Sequence, residues 1–315
     1  MIERAYDLEM LDGAADRGGA DCHGWAFGLP PGIAPEQWPL EPWSGYPLMH
    51  VFTLLLPQDH RCHGPDLVAL SLFAVSPEHG EGEESDAMAK AVLGESEPSD
   101  PRFRAFWRPP ARRHPRLTRM KDLTLGYDHA VILLTRAEFE APFCLPPEIA
   151  REGLGMDRAQ CAVSAQGSDE EGWEWRYAPV CPEPAWLKNG SLGAYASNEV
   201  RAGEKTGLAV HRGLRWSARA NDPNAGKVPR DFWITAVTSD YTPHFYFDEN
   251  NQYRLHAWGE GHACDHIGGT MRPVQNTPPF SPFYVEFGEG VGGCNFGGGC
   301  AQLDFRDMKF DWACG

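Results

Sequence analysis

The sequence predicts a β-rich α+β protein: two related lobes of antiparallel strands packed as one compact unit. Three observations lead there. With 34 glycines and 27 prolines among 315 residues, the chain is punctuated too often for long helices and favours many short strands. The stretch from His266 to Trp312 then carries two runs that alternate with a period of two: Phe283, Val285, Phe287 and Ala301, Leu303, Phe305. That period turns one face of each run toward a core and marks strands. The glycine-dense connection from Gly288 to Gly299 between them offers the positive φ angles that a long hairpin loop needs. Finally, a weaker copy of this stretch lies near the N-terminus. There Gly28-Leu-Pro-Pro leads through Trp38 and Trp43 to Gly45-Tyr-Pro-Leu and an apolar run, as a diverged internal duplication would.

In chain order, residues 1–144 are expected to form an N-terminal β-rich lobe, 145–230 a connecting region, and 231–315 a C-terminal β-rich lobe. Residues 1–24 read as an irregular or partly helical lead-in ending in the turns at Asp12-Gly and Gly18-Gly. Strands are expected over 48–56 and 66–75, the second a continuous apolar run of the buried kind. A further strand is expected within 123–134. Thr135 and Glu138 stand at capping-box spacing for a short helix, which the prolines at 142, 146 and 147 end. Residues 231–239 read as a strand. Residues 245–258 read as a hairpin turning at Asp248–Asn251.

Charge narrows the function classes. A net charge of −16 works against nucleic acids and anionic membranes as direct partners and favours encounter with a basic protein. The charge is also unevenly placed. Residues 76–101 hold eight acids against Lys90 alone, whereas 102–121 hold eight bases and no acid, so the two segments are expected to neutralise each other in part. No apolar run reaches the roughly 18 residues of a membrane span. The acidic N-terminus lacks a signal-peptide core. The expected compartment is therefore the cytoplasm. Nine scattered cysteines with no Cys-x-x-Cys pair read as buried thiols of a reducing compartment. Cys294 and Cys300 flank a glycine turn, and only geometry decides whether they face one another.

Two clusters carry ligand types that zinc accepts: Asp59, His60, Cys62 and His63, and His256 with His262, Cys264, Asp265 and His266. Residues packed so closely in sequence converge on one ion only when a turn or helix aligns them, so polar loop residues are the expectation. The glycine-rich 288–299 segment precedes a strand rather than a helix and lacks Gly-Lys-Ser/Thr, which argues against a phosphate loop. No Gly-x-Ser-x-Gly elbow occurs. Catalytic, cofactor and metal residues are accordingly assigned to none.

Gly268-Gly269 with Pro273-Val-Gln, Gly297-Gly-Gly-Cys-Ala-Gln-Leu-Asp-Phe with the closing Trp312, and Gly45-Tyr-Pro-Leu before a hydrophobic strand together resemble the YwqG-like family. About a quarter of the chain carries the resemblance. It implies a β-rich fold and, for some members, a place beside secreted antibacterial toxins as immunity proteins; it implies no catalytic residues. The leading expectation is a non-enzymatic immunity protein that occludes the active cleft of a basic, nuclease-like toxin. The acidic clusters Glu78, Glu81, Glu83, Glu84, Asp86 and Asp169, Glu170, Glu171 would steer the encounter, with Trp173 and Trp175 as apolar anchors. The alternative is a metal- or small-molecule-dependent enzyme using the loops around 256–266 and 288–299.

Overall fold

The apolar runs expected over 48–56, 66–75 and 123–134 become strands buried on both faces, which is why they read as continuous rather than alternating. These are β3 (Met49–Leu55), β4 (Leu67–Ala74) and β6 (Asp128–Thr135). They come from a computed structural model, which describes residues 2, 4–43, 45, 47–75, 86–147, 211–231 and 240–315. The remaining strands are β1 (Tyr6–Ala14), β2 (Gly24–Ala26), β5 (Leu117–Lys121), β7 (Arg212–Ala218), β8 (Phe245–Phe247) and β9 (Tyr253–Leu255). The last four are β10 (His266–Ile267), β11 (Tyr284–Gly288), β12 (Cys300–Asp304) and β13 (Lys309–Ala313). Among the described residues, helix is confined to α1 (Asp86–Leu93), α2 (Arg136–Phe139) and short 3-10 turns. Thr135 caps α2 with Glu138 in a capping box, as the spacing predicts. The β8–β9 hairpin turns where expected, on the carboxylate of Asp248.

Eleven strands form one antiparallel sheet in the order β13-β12-β11-β10-β1-β7-β2-β3-β4-β6-β5. The sheet curls until its two edge strands nearly meet. Asp122, just after β5, bridges to Phe310 of β13, and Leu123 N–H donates to Phe310 O at 3.1 Å. His129 stacks on the Phe310 ring at 3.9 Å across the same seam. The result is a nearly closed barrel. Its interior is filled from every strand, by Leu8, Phe52, Leu72, Val131, Leu214, Ile267, Val285, Leu303 and Phe310 among others. Curling in this way hides most of the free backbone that an open sheet would expose at its edges.

Several expectations are corrected. The lead-in is not irregular or helical: residues 6–14 form β1, in the middle of the sheet between β10 and β7. Tyr6, Leu8 and Met10 pack inward while Asp7 and Glu9 meet arginines on the other face, so acids hide a true period of two. The strand expected within 123–134 starts only at Asp128. Before it, the Asp122 carboxylate accepts the N–H groups of Thr124, Leu125, Gly126 and Tyr127 and fixes a turn. β7, from the 145–230 region, joins the sheet between β1 and β2. The strand expected over 231–239 falls outside the described residues, Asp231 excepted.

The two halves of the sheet repeat one pattern around the β1–β7 pair. β2 leads to β3 and β4, with Ala26 opposite Phe52 and Phe52 opposite Leu72. β10 leads to β11 and β12, with Ile267 opposite Val285 and Val285 opposite Leu303. Directly after β2, Phe27 N–H donates to Val51 O at 2.9 Å; directly after β10, Gly268 N–H donates to Tyr284 O at 2.8 Å. Both points begin a pair of residues with positive φ, Phe27-Gly28 and Gly268-Gly269. A Cβ on Gly28 would meet the ring of His211, one residue before β7, and a Cβ on Gly269 would meet Ala5, one residue before β1. The hairpin loops also cross over. His60, from the β3–β4 loop, packs against Gly268, while Gly292, from the β11–β12 loop, lies against Val51.

Candidate functional site

The outer face of the second half is a buried polar layer. Register sets His266 of β10 beside Asp7 of β1 on one side and Glu286 of β11 on the other, with Gln302 of β12 next in the row. His266, Glu286 and Gln302 are all buried. They are covered by residues 219–231 and 240–283, whose turns are built from the same polar groups.

Arg219 organises one end of the layer. Its side chain is fully buried and donates to Asp7 at 2.7 Å, to Asp222 at 3.2 Å and to Ala263 O at 2.8 Å. Asp222 in turn accepts from Thr270 N–H and hydroxyl and from Asn224 N–H. Asn224 completes the circuit with the backbone of Thr242. Every member is therefore satisfied, the condition under which buried charge is tolerated.

The other end is less complete. The Glu286 carboxylate accepts the Arg272 N–H with both oxygens, at 3.1 and 2.9 Å. Its Oε2 lies 3.7 Å from Nε2 of His266, too long for a hydrogen bond. Neither ring nitrogen of His266 has a hydrogen-bond partner, although the residue is buried. Burial pushes the Glu286 carboxyl up to about 8, against the pull of the Arg272 N–H and the nearby guanidinium groups. Burial, aided by Arg219 and Arg272, holds His266 well below the usual histidine range. Chemically this is a neutral imidazole beside a carboxyl that holds its proton near neutrality, the pairing that acid–base sites use.

Above the layer stands the β8–β9 hairpin. Phe247, Tyr253, Leu255 and Tyr246 are 40–51% exposed. A chain of rings, Tyr246 to His256 to Trp258 to His262, runs from the hairpin back toward the polar layer. Arg272 donates to His262 O there at 2.9 Å. The sequence identified this hairpin but not its exposure. The signal was present: three consecutive aromatics on one short strand must place a ring on each face.

Of the residues expected to bind a partner, Glu78, Glu81, Glu83, Glu84, Asp169, Glu170, Glu171, Trp173 and Trp175 lie outside the described residues. Asp86 is described; it is the exposed first residue of α1 and lines a groove of about 750 Å³ with Lys90, Leu93 and Glu97. The basic segment that follows is split: Arg102, Arg104, Arg112 and Lys121 are exposed, and others turn inward. Arg113 donates to the carbonyls of Arg108, Leu93 and Gly94, and Arg116 to Leu133 O and Glu138. Arg119 is buried, which lowers it to about 10. Arg104 meets Glu97 and Arg102 meets Asp100.

The His/Cys clusters are dispersed by the fold. His60 is buried against Tyr6, and His63 bonds to Phe305 O. His262 contacts Ala220 O while Cys264 is exposed and His266 buried. Among the described residues, no three His, Cys, Asp or Glu side chains gather to hold a metal ion. Cys294 and Cys300 do not face one another: Cys294 packs in the barrel interior, while Cys300 lies beside Gln302 and Glu286 on the other face. The 288–299 loop is fastened by its own Glu289, whose carboxylate accepts the N–H groups of Phe296 and Gly298. Among the described residues, no helix is long and apolar enough to cross a membrane. Compared with known proteins, the chain is matched by no family model, no curated relative and no solved structure.

Proposed function

We propose that this chain is a non-enzymatic binding protein, an immunity protein that neutralises a cognate basic toxin by occluding its active cleft. The observation that carries the reading is the unequal placement of charge. Arg17, Arg61, Arg108, Arg113, Arg116 and Arg219 donate to backbone carbonyls. The acids Asp12, Glu36, Asp86, Glu95, Glu97, Glu249 and Glu260 stand exposed. A chain of net charge −16 with its arginines so engaged repels phosphate and attracts a cationic protein surface. The seven described cysteines, all thiols, fit a cytoplasmic home. The matched registers of the two sheet halves support the further proposal that they are duplicated, related lobes.

The test is co-expression with the product of the neighbouring reading frame in the source genome. The expected result is restored growth and a complex whose association rate falls steeply as salt rises. Unrelieved toxicity with no complex would overturn the reading.

A second reading rests on a different observation, the unpartnered His266 beside Glu286. It makes the layer an acid–base or ligand site of a metal- or small-molecule-dependent enzyme served by the 256–266 and 288–299 loops, which Asp265 joins by accepting Gly288 N–H. Zinc bound stoichiometrically to the purified protein, and lost in His266→Ala, would favour it.

A further inference from the structure

The β8–β9 hairpin presents apolar side chains on both faces. Phe245 pairs with Leu255 and Phe247 with Tyr253 on one face; Tyr246 and Arg254 occupy the other. On the first face Phe247, Tyr253 and Leu255 are 41, 51 and 40% exposed. A contiguous apolar face of this kind costs free energy in water and marks interaction surfaces.

The hairpin is also held in one shape. Asp248 accepts the N–H groups of Asn250 and Gln252 and the Arg254 guanidinium. Phe245 stacks on Tyr253 at 4.9 Å, and the Tyr253 hydroxyl meets His244 Nε2 at 3.0 Å. On the other face, Tyr246 lies 4.9 Å from His256, which stacks on Trp258. Such anchors lose little freedom on binding.

Acids flank this hairpin in the sequence and sit in its turn. Asp240, Glu249 and Glu260 are exposed. Arg254 is neutralised by Asp248, whereas the Lys227 ammonium, which donates to the backbone oxygen of Asp240, keeps its charge beside that residue. A second copy of this chain would bring the same acids against each other, each copy at −16. A basic partner meets no such repulsion.

We propose that the hairpin is the anchor surface for a basic protein, with Tyr253 and Leu255 entering an apolar pocket while Glu249 and Glu260 meet lysines or arginines around it. The proposal rests on the binding-protein reading and names the surface that reading uses. The division of labour follows from the chemistry: the acids set how fast the pair meets, and the rings set how long it stays.

The experiment immobilises the product of the neighbouring reading frame and follows binding of three proteins: wild type, Tyr253→Ser/Leu255→Ser, and Glu249→Lys/Glu260→Lys. The serine variant is expected to dissociate about 30-fold faster, as for loss of a buried anchor. The lysine variant, whose exposed changes spare the fold, is expected to associate about tenfold more slowly at low salt and with a weaker salt dependence. Wild-type kinetics in the lysine variant, or in a serine variant of native circular dichroism, would overturn the hairpin as the anchor and leave the binding reading standing. No binding by wild type would instead remove the reading itself. Self-association of wild type that the serine variant abolishes would make the occupant a second copy, and would also overturn the proposal.

Discussion

Two equivalent rows cross the outer faces of the two sheet halves, one neutral and one rich in ionisable groups. In the first half, register aligns Trp25, Thr53, Ser71 and Ile132. In the second it aligns His266, Glu286, Gln302 and Asp311. The backbone is the same; the cover differs. Over Trp25 and Ile132 of the first row lie Leu29, Trp38, Leu48 and Phe139, a dry layer in which the Trp25 indole N–H reaches Leu29 O, while Thr53 is hydrogen-bonded to Ser71 and His50. Over the second lie Arg272, Asp222 and Asn224. The lesson is that strand register does not dictate what an outer face holds. The neutral row is held by packing and by the short His50–Thr53–Ser71 chain, whereas charge buried in the second layer is tolerated only while it keeps its partners.

The sharpest way to break this comparison is to remove one partner from the polar layer. Arg219→Ala leaves the buried Asp222 carboxylate and the half-buried Asp7 without their cation and is expected to cost about 3–5 kcal/mol in urea unfolding. Trp25→Ala in the dry layer opens a cavity and is expected to cost a similar amount, about 3–5 kcal/mol. The two differ in their response to a second change. Asp222→Asn should recover part of the Arg219→Ala loss, whereas no charge change should recover Trp25→Ala. Independent, additive losses would show that the polar layer is not a network.

Next comes the turn that both halves share. Gly269 has φ 84° and a Cβ there would lie 2.4 Å from Ala5, so Gly269→Ala is expected to cost about 1–3 kcal/mol. Gly28→Ala would instead press on the His211 ring, at 2.6 Å. A ring can swing, whereas the Ala5 Cβ is fixed to its strand and the Asp222 carboxylate is held by Arg219 and Thr270, so the cost at Gly28 should be the smaller. Equal costs would mean that the left-handed backbone, and not the neighbour, sets the penalty at both turns.

A smaller effect separates the rows by pH. Glu286 is raised from near 4.5 to about 8, so between those values the folded state holds a proton that the unfolded chain releases. Stability therefore falls as pH rises through that window. Buried histidines act oppositely. His266 is lowered well below 6.5 and His50 to about 3, so the unfolded chain takes up protons below 6.5 and stability rises with pH up to that point. From 6.5 to 8 the slope belongs to Glu286. Glu286→Gln should flatten it, which unfolding free energies at pH 6.5, 7.2 and 8 would show. An unchanged slope would mean that the carboxyl is solvated.

How much of this could be read beforehand follows from the same contrast. β3, β4 and β6 were legible because both faces are apolar, and β11 and β12 because one face is. The α2 cap and the turn at Asp248 were legible because their signals are local. β1 and β7 were not, since Glu9, Arg215 and Asp7 break up any apolar run on the outer face. The polar layer was invisible as a unit: its members run from Asp7 to Gln302, and only barrel curvature and the crossing of β1 between β10 and β7 bring them together. His266 was noticed, but as part of a local His/Cys cluster. Its real neighbour is Glu286, twenty residues on, which sequence proximity could not supply.

The smallest expected effect tests where the polar layer ends. Glu9 lies on the same face of β1 as Asp7, two residues along. It pairs with Arg215 at 2.6 Å, as Asp7 pairs with Arg219 at 2.7 Å. By distance alone the two ion pairs are twins. Solvent separates them: the Arg219 side chain is fully buried, while those of Arg215 and Glu9 are 41 and 62% exposed. Water already solvates both exposed charges and salt screens them, so little is gained by pairing them. Glu9→Gln is therefore expected to leave the urea midpoint unchanged at 0.15 M salt, in contrast to the large loss at Arg219. A clear drop in that midpoint would mean that the buried network extends past Asp7 along β1. It would move the border of the layer outward to the β1–β7 surface.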